Sequence, residues 1–409
     1  MNILYEFVTV SVKTGAGEYS RRVFFELMNS LENDKDDNLH VYVLYDSQKG
    51  IAYDDLNERN LLKKYNVTFV DCYGRDLNTI VWNHNIDVFF IACIQYLRDY
   101  SGIQAIDCKV ISVIHDLTLT EIIHNRISVY ANLLFFESDD KNRFPFLIGR
   151  ICRYISSIKK AMIHYILSGN WSLEKSICDK TKVLLDVFFH KSNIVLIAVS
   201  EYTKVSCSYF FNSDNIKVLY SPERIIEGSV HVKNCRLADI LSKRLKFYLI
   251  VSAARAMKNA RKAINAFEKF VKTHPDSYLV TIGFGKNLFD HHIDIDFLCD
   301  SDLEIVYKSC YALIYPSFFE GFGYPPVECM HYGKPILSSN VSSMPDVLGD
   351  APIYFCPFYE SSIYNALLTL TEENYQSISI KSQKQYNIIK KRQSSDLKIL
   401  INLIKGDCS

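Results

Sequence analysis

Short apolar runs recur along the whole of this 409-residue chain, separated by stretches in which polar residues return with helical spacing. In the first half the runs fall at 3–10, 40–44, 67–71, 86–92, 110–115, 194–200 and 216–220, and they read as short buried strands. Helical patterns lie between several of them, most clearly at 18–31. The second half repeats the theme, with strands expected at 247–252, 278–282, 311–315, 335–338 and 351–355 and helices at 260–273 and 326–332. Strands alternating with helices imply α/β architecture, with parallel sheets covered by helices. Periodicity is lost over 221–235, which divides the chain into an N-terminal domain (1–225) and a C-terminal domain (226–390). The tail 391–409 is expected to add a helix that crosses back to the first domain. Open parallel sheets bind ligands at the carboxyl ends of their strands, so a cleft between two facing domains is the expected site.

Composition narrows the class. A length of 409 residues exceeds what one core serves, consistent with two domains. Hydrophobic content of 48% with 22% charged residues fits a globular protein. Lys+Arg and Asp+Glu both number 46, so the balanced charge argues against a general nucleic-acid binder. The 12 cysteines are scattered without a C-x-x-C pair, as expected of reduced core thiols in a cytoplasmic protein. The N-terminus MNILYEFVTV has no basic leader, and no window offers an apolar stretch of spanning length.

The densest chemistry lies at 317–335, SFFEGFGYPPVECMHYGKP. An apolar run, YALIYP at 311–316, leads into a turn rich in Gly and Pro and then into a helix expected to start near Pro326. Glu320 sits at the mouth of the turn and Glu328 in the first turn of that helix. Glycine permits close approach of a ligand to backbone, and a helix N-terminus favours phosphate. Carboxylates accept hydrogen bonds from hydroxyls. A ligand with both phosphate and many hydroxyls is a nucleotide sugar. A second cluster, SAARAMKN at 252–259, follows the strand 247–251 and precedes a helix. Arg255 and Lys258, three apart on a turn entering a helix, can face one point and stabilise charge on a departing diphosphate.

The order E-G-F-G-Y-P-P-x-E at 320–328 resembles the hallmark Glu-x7-Glu motif of the retaining glycosyltransferases of family four, and the likeness continues into G-K-P-I (333–336) and S-S-M-P-D (342–346). That resemblance implies the GT-B fold, in which two Rossmann-like domains with parallel sheets face each other across an interdomain cleft. It further implies that Glu320 binds donor-sugar hydroxyls and steadies the transition state. Gly321, Phe322, Gly323, Tyr324 and Val327 would hold sugar and diphosphate, and Glu328 the ribose hydroxyls. Arg255 and Lys258 would grip the diphosphate. Ser252 stands where the family usually has Gly.

Gly15 and Gly17 resemble the family's N-domain glycine loop, which lies against the donor phosphates and acceptor, ahead of a helix at 18–31. His115, within H-D-L at 115–117, occupies the cleft-facing strand end where the family often places a His against the donor sugar. Ser200, in A-V-S-E-Y-T-K, reads as a helix N-cap. Gly283 and Gly285 end a strand, and either make room for the nucleotide or simply turn the chain. The segment 286–294, where the family often holds the base, is short.

Asp294-x-Asp296 mimics a metal-binding Asp-x-Asp, but it precedes Phe297-Leu298 and a helical run, as a loop does in the family. With two cations available for the diphosphate, no metal and no cofactor beyond the nucleotide-sugar donor is expected. Asp residues at 34–37 and 139–141 read as solvated turns. Residues 141–167 carry six Lys or Arg and no acid, with Ile151, Ile155, Ile158, Met162 and Ile166 on one helical face. Such a helix either packs on a core or lies on an anionic membrane surface. The resulting expectation is a retaining, metal-independent hexosyltransferase of surface polysaccharide or glycoconjugate synthesis. Its acceptor is a saccharide or lipid-linked saccharide, and its place is the cytoplasm, at the inner face of the membrane if 141–167 binds there. The E-G-F-G-Y-P-P form leans toward mannosyl- or rhamnosyltransferases. A GT-B nucleotide-sugar epimerase and a non-catalytic partner subunit are the alternatives.

Overall fold

A computed structural model of the chain describes residues 1–11, 14–34, 39–49, 67–118, 120–121, 170–224 and 231–406. The basic segment 141–167 and the expected turn at 139–141 lie outside the described residues, as do residues 35–37 of the expected turn at 34–37, whereas Asp34 ends a helix. Two compact units result. The described residues of Met1–Leu117, Asp179–Ile225 and Ile388–Ser409 form one, and those of Thr118–Cys178 and Ile226–Asn387 form the other.

In chain order the first elements are β1 (Asn2–Glu6), α1 (Gly15–Asp34), β2 (His40–Tyr45), β3 (Val67–Asp71), α2 (Leu77–Asn83) and β4 (Val88–Ile91). They are followed by β5 (Lys109–Ile114), α3 (Asn170–His190), β6 (Ile194–Ala198), α4 (Glu201–Phe211) and β7 (Ile216–Val218). The seven strands pair in the order β3-β2-β1-β4-β5-β6-β7, all parallel. Strands such as Val88–Ile91 are buried throughout, as a sheet covered on both faces requires. Leu4, Phe89, Val110 and Leu196 of the sheet pack with Leu184, Leu185 and Phe188 of α3.

The second half of the chain continues with α5 (Cys235–Ser242), β8 (Lys246–Ile250), α6 (Ala260–Phe270), β9 (Ser277–Ile282), β10 (His292–Ile295) and α7 (Asp300–Ser309). Then come β11 (Ala312–Tyr315), α8 (Tyr324–His331), β12 (Ile336–Ser339), α9 (Met344–Leu348), β13 (Ile353–Phe355), α10 (Glu360–Thr369) and α11 (Glu372–Ile404). Its six strands are parallel in the order β10-β9-β8-β11-β12-β13. Read from β8, this is the 3-2-1-4-5-6 order of a dinucleotide-binding sheet. Ala260, Ala263, Ile264, Phe267 and Phe270 recur at helical spacing along α6 and bury one face of it. They meet Tyr248, Ile250, Leu279 and Ile314 of the sheet and Ile363 and Leu367 of α10. Each large apolar side chain so buried contributes about 1.5–3 kcal/mol. From Ile388 onward α11 belongs with the first unit. There Asp396 Oδ2 accepts from the Tyr220 amide at 2.8 Å, and Gln393 Nε2 donates to the Ser221 carbonyl at 2.7 Å.

Three expectations need correction. Residues 3–10 are not one strand, because β1 ends at Glu6 and a 3-10 turn, Val8–Ser11, follows. The buried Glu6 carboxylate draws in the Thr9 amide at 2.6 Å and closes that turn. The Gly15-Ala16-Gly17 tripeptide is the first turn of α1 and not a loop ahead of it. His292–Ile295, unforeseen because two of its four residues are polar, is a strand, so Asp294 lies in the sheet and not in a loop.

Candidate functional site

The strand order of the second sheet reverses between β8 and β11, the position at which open parallel sheets bind ligands. The connections leaving these two strands carry Arg255, Lys258 and Glu320. They are pinned together by the Phe318 amide, which donates to the Met257 carbonyl at 2.9 Å. Lys258 Nζ then reaches Glu320 Oε1 at 2.5 Å and Tyr315 Oη at 2.7 Å, and lies 4.8 Å from the Tyr315 ring centroid. The Lys258 and Glu320 side chains are each 13% exposed, which leaves them reachable from solvent. Burial, with the Glu320 charge beside it, pushes the Tyr315 hydroxyl far above the ordinary tyrosine range, so it stays a phenol.

Asn259, next after Lys258, sits in the left-handed region at φ +52, where Asn is tolerated better than most residues. Its Nδ2 donates to the carbonyls of Pro316 at 3.1 Å and Pro357 at 2.9 Å, tying the β8 connection to the ends of β11 and β13. Arg255 lies a turn earlier, where its amide donates to the Ser252 carbonyl and its carbonyl accepts from the Lys258 amide. The Arg255 side chain is exposed and forms no ion pair among the described residues. The structure therefore brings Lys258 and Glu320 into contact and leaves Arg255 open to solvent on the same connection. Ser252 has φ +55, a conformation that favours glycine, which gives its departure from the family pattern a physical meaning.

Helix α8 starts at Tyr324, two residues before the expected start, so Glu328 belongs to its second turn and not its first. Gly323 precedes the helix at φ +91. A Cβ there would stand 2.3 Å from Met344 Cε. Pro325 and Pro326 carry no N–H, so among the first four helical residues only Tyr324 and Val327 offer one. Phe322 and Val327 have buried side chains, with the Phe322 ring edge-on to Tyr324 at 5.5 Å. Gly321 is half-buried on the same connection. Glu328 is half-buried beside Tyr307, whose hydroxyl is pushed far up by burial and then by the Glu328 charge.

Gly283 and Gly285 both have positive φ, +82 and +96, and they turn the chain from β9 around one side chain. The Asp294 carboxylate accepts from the amides of Phe284 (2.9 Å) and Gly285 (2.7 Å) and from Thr281 Oγ1 (2.5 Å). Asp294 is buried, whereas Asp296 is exposed beyond the strand end. This Asp-x-Asp thus builds a loop. His292 beneath it pairs with Thr281 Oγ1 at 2.8 Å, and burial pushes its imidazole down to about 4.

In the first unit His115 follows β5, and its Nε2 donates to the Ala92 carbonyl at 2.9 Å, leaving Nδ1 as the acceptor nitrogen. The Tyr19 ring stands edge-on to it at 4.9 Å. Burial lowers the His115 pKa, which keeps the ring neutral near pH 7. Gly15 is exposed and Gly17 buried in the first turn of α1, whose leading amides lack intrahelical partners. Ser200 caps α4 by accepting from the Thr203 amide at 3.2 Å.

Several contributors escaped the sequence reading. Tyr315 belongs in the sequence to an apolar run that marks a buried strand. Asn259 closes the SAARAMKN motif but carried no role. Glu6 is a lone acid inside an apolar run, and that isolation was its signal. It is fully buried and accepts from the Thr9 amide (2.6 Å) and hydroxyl (2.7 Å) and from the amides of Ala92 and Cys93. Ala92 therefore joins Glu6, through its amide, to His115, through its carbonyl.

Residues 238–392 match the family model described as glycosyl transferases group 1. The chain is 29% identical over 193 residues to the O-antigen chain mannosyltransferase RfbU of Salmonella typhimurium, covering 43% of this chain and 51% of that protein. It thus spans about half the length of that curated relative. Among solved structures, Anabaena HepE in complex with UDP and glucose superposes with a TM-score of 0.62 at 12% identity, over 99% of this chain and 100% of that one. WaaG, a glycosyltransferase involved in lipopolysaccharide biosynthesis, superposes with a TM-score of 0.56 at 11% identity, over 98% of this chain and 99% of its own.

Proposed function

We propose, from a chain of GT-B fold whose residues 238–392 form a glycosyl transferases group 1 domain, that this protein transfers a hexose from a nucleotide-diphosphate sugar to a saccharide or lipid-linked acceptor in polysaccharide synthesis. The observation that carries the reading is the contact of Lys258 Nζ with Glu320 Oε1 at the reversal point of the second sheet. It sets a cation for phosphate beside a carboxylate for sugar hydroxyls. Likeness to the O-antigen mannosyltransferase RfbU favours mannose as the hexose.

In this reading the donor diphosphate takes Lys258 away from Glu320, and Arg255 swings onto the same phosphates. The Glu320 carboxylate, released, accepts from donor-sugar hydroxyls. As the bond from C1 to the phosphate oxygen breaks, its electron pair leaves on the diphosphate. The two cations stabilise that charge without a metal. The acceptor hydroxyl attacks C1 from the face the diphosphate leaves, and its proton passes to a leaving phosphate oxygen, so configuration is retained. Glu328 holds the ribose, and the amides of Gly321–Tyr324 and Val327 approach the sugar and diphosphate. Among residues of the first unit, His115 and the leading amides of α1 at Gly15 and Gly17 are its own candidates for contact with substrate.

No described helix is long and apolar enough to cross a membrane, and no disulfide joins the described cysteines. Work in the cytoplasm, with contact to the inner membrane face through 141–167, is part of the proposal. The test is incubation with GDP-, UDP- and dTDP-hexoses, with and without lipid-linked saccharides and with chelator present. The product is then identified by NMR of its anomeric carbon. Transfer with retained configuration in chelator supports the reading. An epimerised sugar from donor alone would replace it with the epimerase, and binding without any turnover with the partner-subunit alternative.

A further inference from the structure

Ser342 and Ser343, on the connection leaving β12, hold both backbone polar groups of Glu320. Ser342 Oγ accepts from the Glu320 amide at 3.1 Å, and Ser343 Oγ donates to the Glu320 carbonyl at 2.9 Å. We infer that these two serines are positioning residues for the donor site: they fix the main chain of Glu320 so that its carboxylate meets Lys258 and, in turn, the sugar. The inference rests on the function proposed above and deepens it.

Two features set this grip apart from ordinary turn chemistry. Ser342 adopts φ +54, in the left-handed region where glycine is the favoured residue. A side chain kept in a conformation that disfavours it points to use of that side chain, and strain of this kind concentrates at functional sites. Ser343 stands at the N-cap of α9, where a serine ordinarily accepts from an amide of its own helix. It makes no such bond, and its fully buried hydroxyl is turned to the Glu320 carbonyl instead.

The next residue extends the hold. Met344 Cε occupies the space that a Cβ on Gly323 would need, 2.3 Å away. Residues 342–344 therefore cover the connection from Glu320 to Gly323, with two hydrogen bonds at one end and a close side-chain contact at the other. Phe318, two residues before Glu320, is anchored independently to Met257. The main chain of Glu320 thus hangs between fixed points, which sets the origin from which its carboxylate reaches Lys258. Because the partners are 22 and 23 residues apart, the contact is tertiary. Binding chemistry held to a fraction of an ångström needs such support.

Ser342→Gly separates the two roles of the residue, since it relieves the left-handed strain while deleting the acceptor. Expected are a melting temperature at or above that of the unaltered protein, a Glu320 amide that exchanges with deuterium at least about tenfold faster, and a kcat reduced about tenfold with the donor KM changed less than threefold. Ser343→Ala should lower kcat similarly, and Ser343→Thr, which keeps a hydroxyl, should restore most of it. Turnover within twofold of the parent in Ser342→Gly, or a Ser343→Ala loss that Ser343→Thr does not recover in folded protein, overturns the positioning role. If the unaltered protein transfers no sugar from any nucleotide hexose while the Glu320 amide is still deprotected in Ser342→Gly, the grip on Glu320 stands and the donor reading falls. Unchanged exchange at Glu320 in Ser342→Gly removes the grip itself.

Discussion

Replacing Lys258 by methionine keeps the length of the side chain and removes its charge, which isolates what the ammonium does. Nζ is held by Glu320 Oε1 at 2.5 Å and Tyr315 Oη at 2.7 Å. A fully buried pair broken on one side costs about 3–5 kcal/mol, because the surviving charge is stranded. Here both side chains are 13% exposed, so Glu320 regains water and the cost falls to about 1–2 kcal/mol. A domain with about 5–15 kcal/mol of stability remains folded after that loss. Turnover suffers more. A charge-stabilising donor removed from a transition state costs about 2–4 kcal/mol, roughly a 30- to 1000-fold fall in rate. The assay is release of nucleoside diphosphate at saturating donor, alongside urea midpoints on the same preparation. Lys258→Arg is the control, because it keeps charge but changes geometry and should fall between the two. Turnover of Lys258→Met within about tenfold of the parent, in protein shown to be folded, refutes the assignment of Lys258 to the departing phosphate.

Other residues give separate tests. Glu328→Ala should weaken donor binding by more than it lowers kcat; the reverse pattern contradicts a ribose contact. Ser252→Gly should raise stability by about 0.5–1 kcal/mol, since φ +55 suits glycine, and a lower melting temperature would count against that reading of the β8 connection. Glu6 gives a pH test: its carboxyl is pushed from 4.5 up to about 7 by burial, which outweighs the donors of Thr9, Ala92 and Cys93. A raised folded value adds stability below the unfolded value, and that stability is lost as pH rises through about 7. The stability of the parent relative to Glu6→Gln should therefore shrink by up to about 3 kcal/mol between roughly pH 4.5 and 8. A difference that grows with pH in urea titrations would show that the four donors win over burial.

Strands buried on both faces announce themselves as apolar runs, and so most of both sheets was legible in the order of hydrophobic residues. β10 was not, because His292 and Asp294 put polar atoms where an apolar face is expected; they serve Thr281 and the Gly283–Gly285 loop from inside the sheet. Only the end of α11, within the tail 391–409, was expected as helix. Its long polar beginning gave no sign of a helix running from Glu372 to Ile404. At the site, Lys258, Arg255 and Glu320 could be picked out because their chemistry is packed into two short motifs. What fixes them was hidden, since Asn259 reaches Pro357 and Ser342 reaches Glu320 only once the second sheet has formed; in the first unit the same holds of Glu6 and Ala92. The glycines misled in one place: Gly15 and Gly17 suggested a loop, yet the first turn of a helix tolerates glycine because its amides are unpaired in any case.

The central claim is that Arg255, Lys258 and Glu320 seize one activated hexose, and thermal melting with a panel of GDP-, UDP- and dTDP-hexoses reads it most directly. A ligand that binds only the folded state at about 100 times its Kd adds about 2.7 kcal/mol. At least one donor should raise the melting temperature of the parent, with that rise lost in both Arg255→Ala and Glu320→Ala. A panel in which no donor shifts the melting temperature, or a shift that survives intact in both variants, contradicts it.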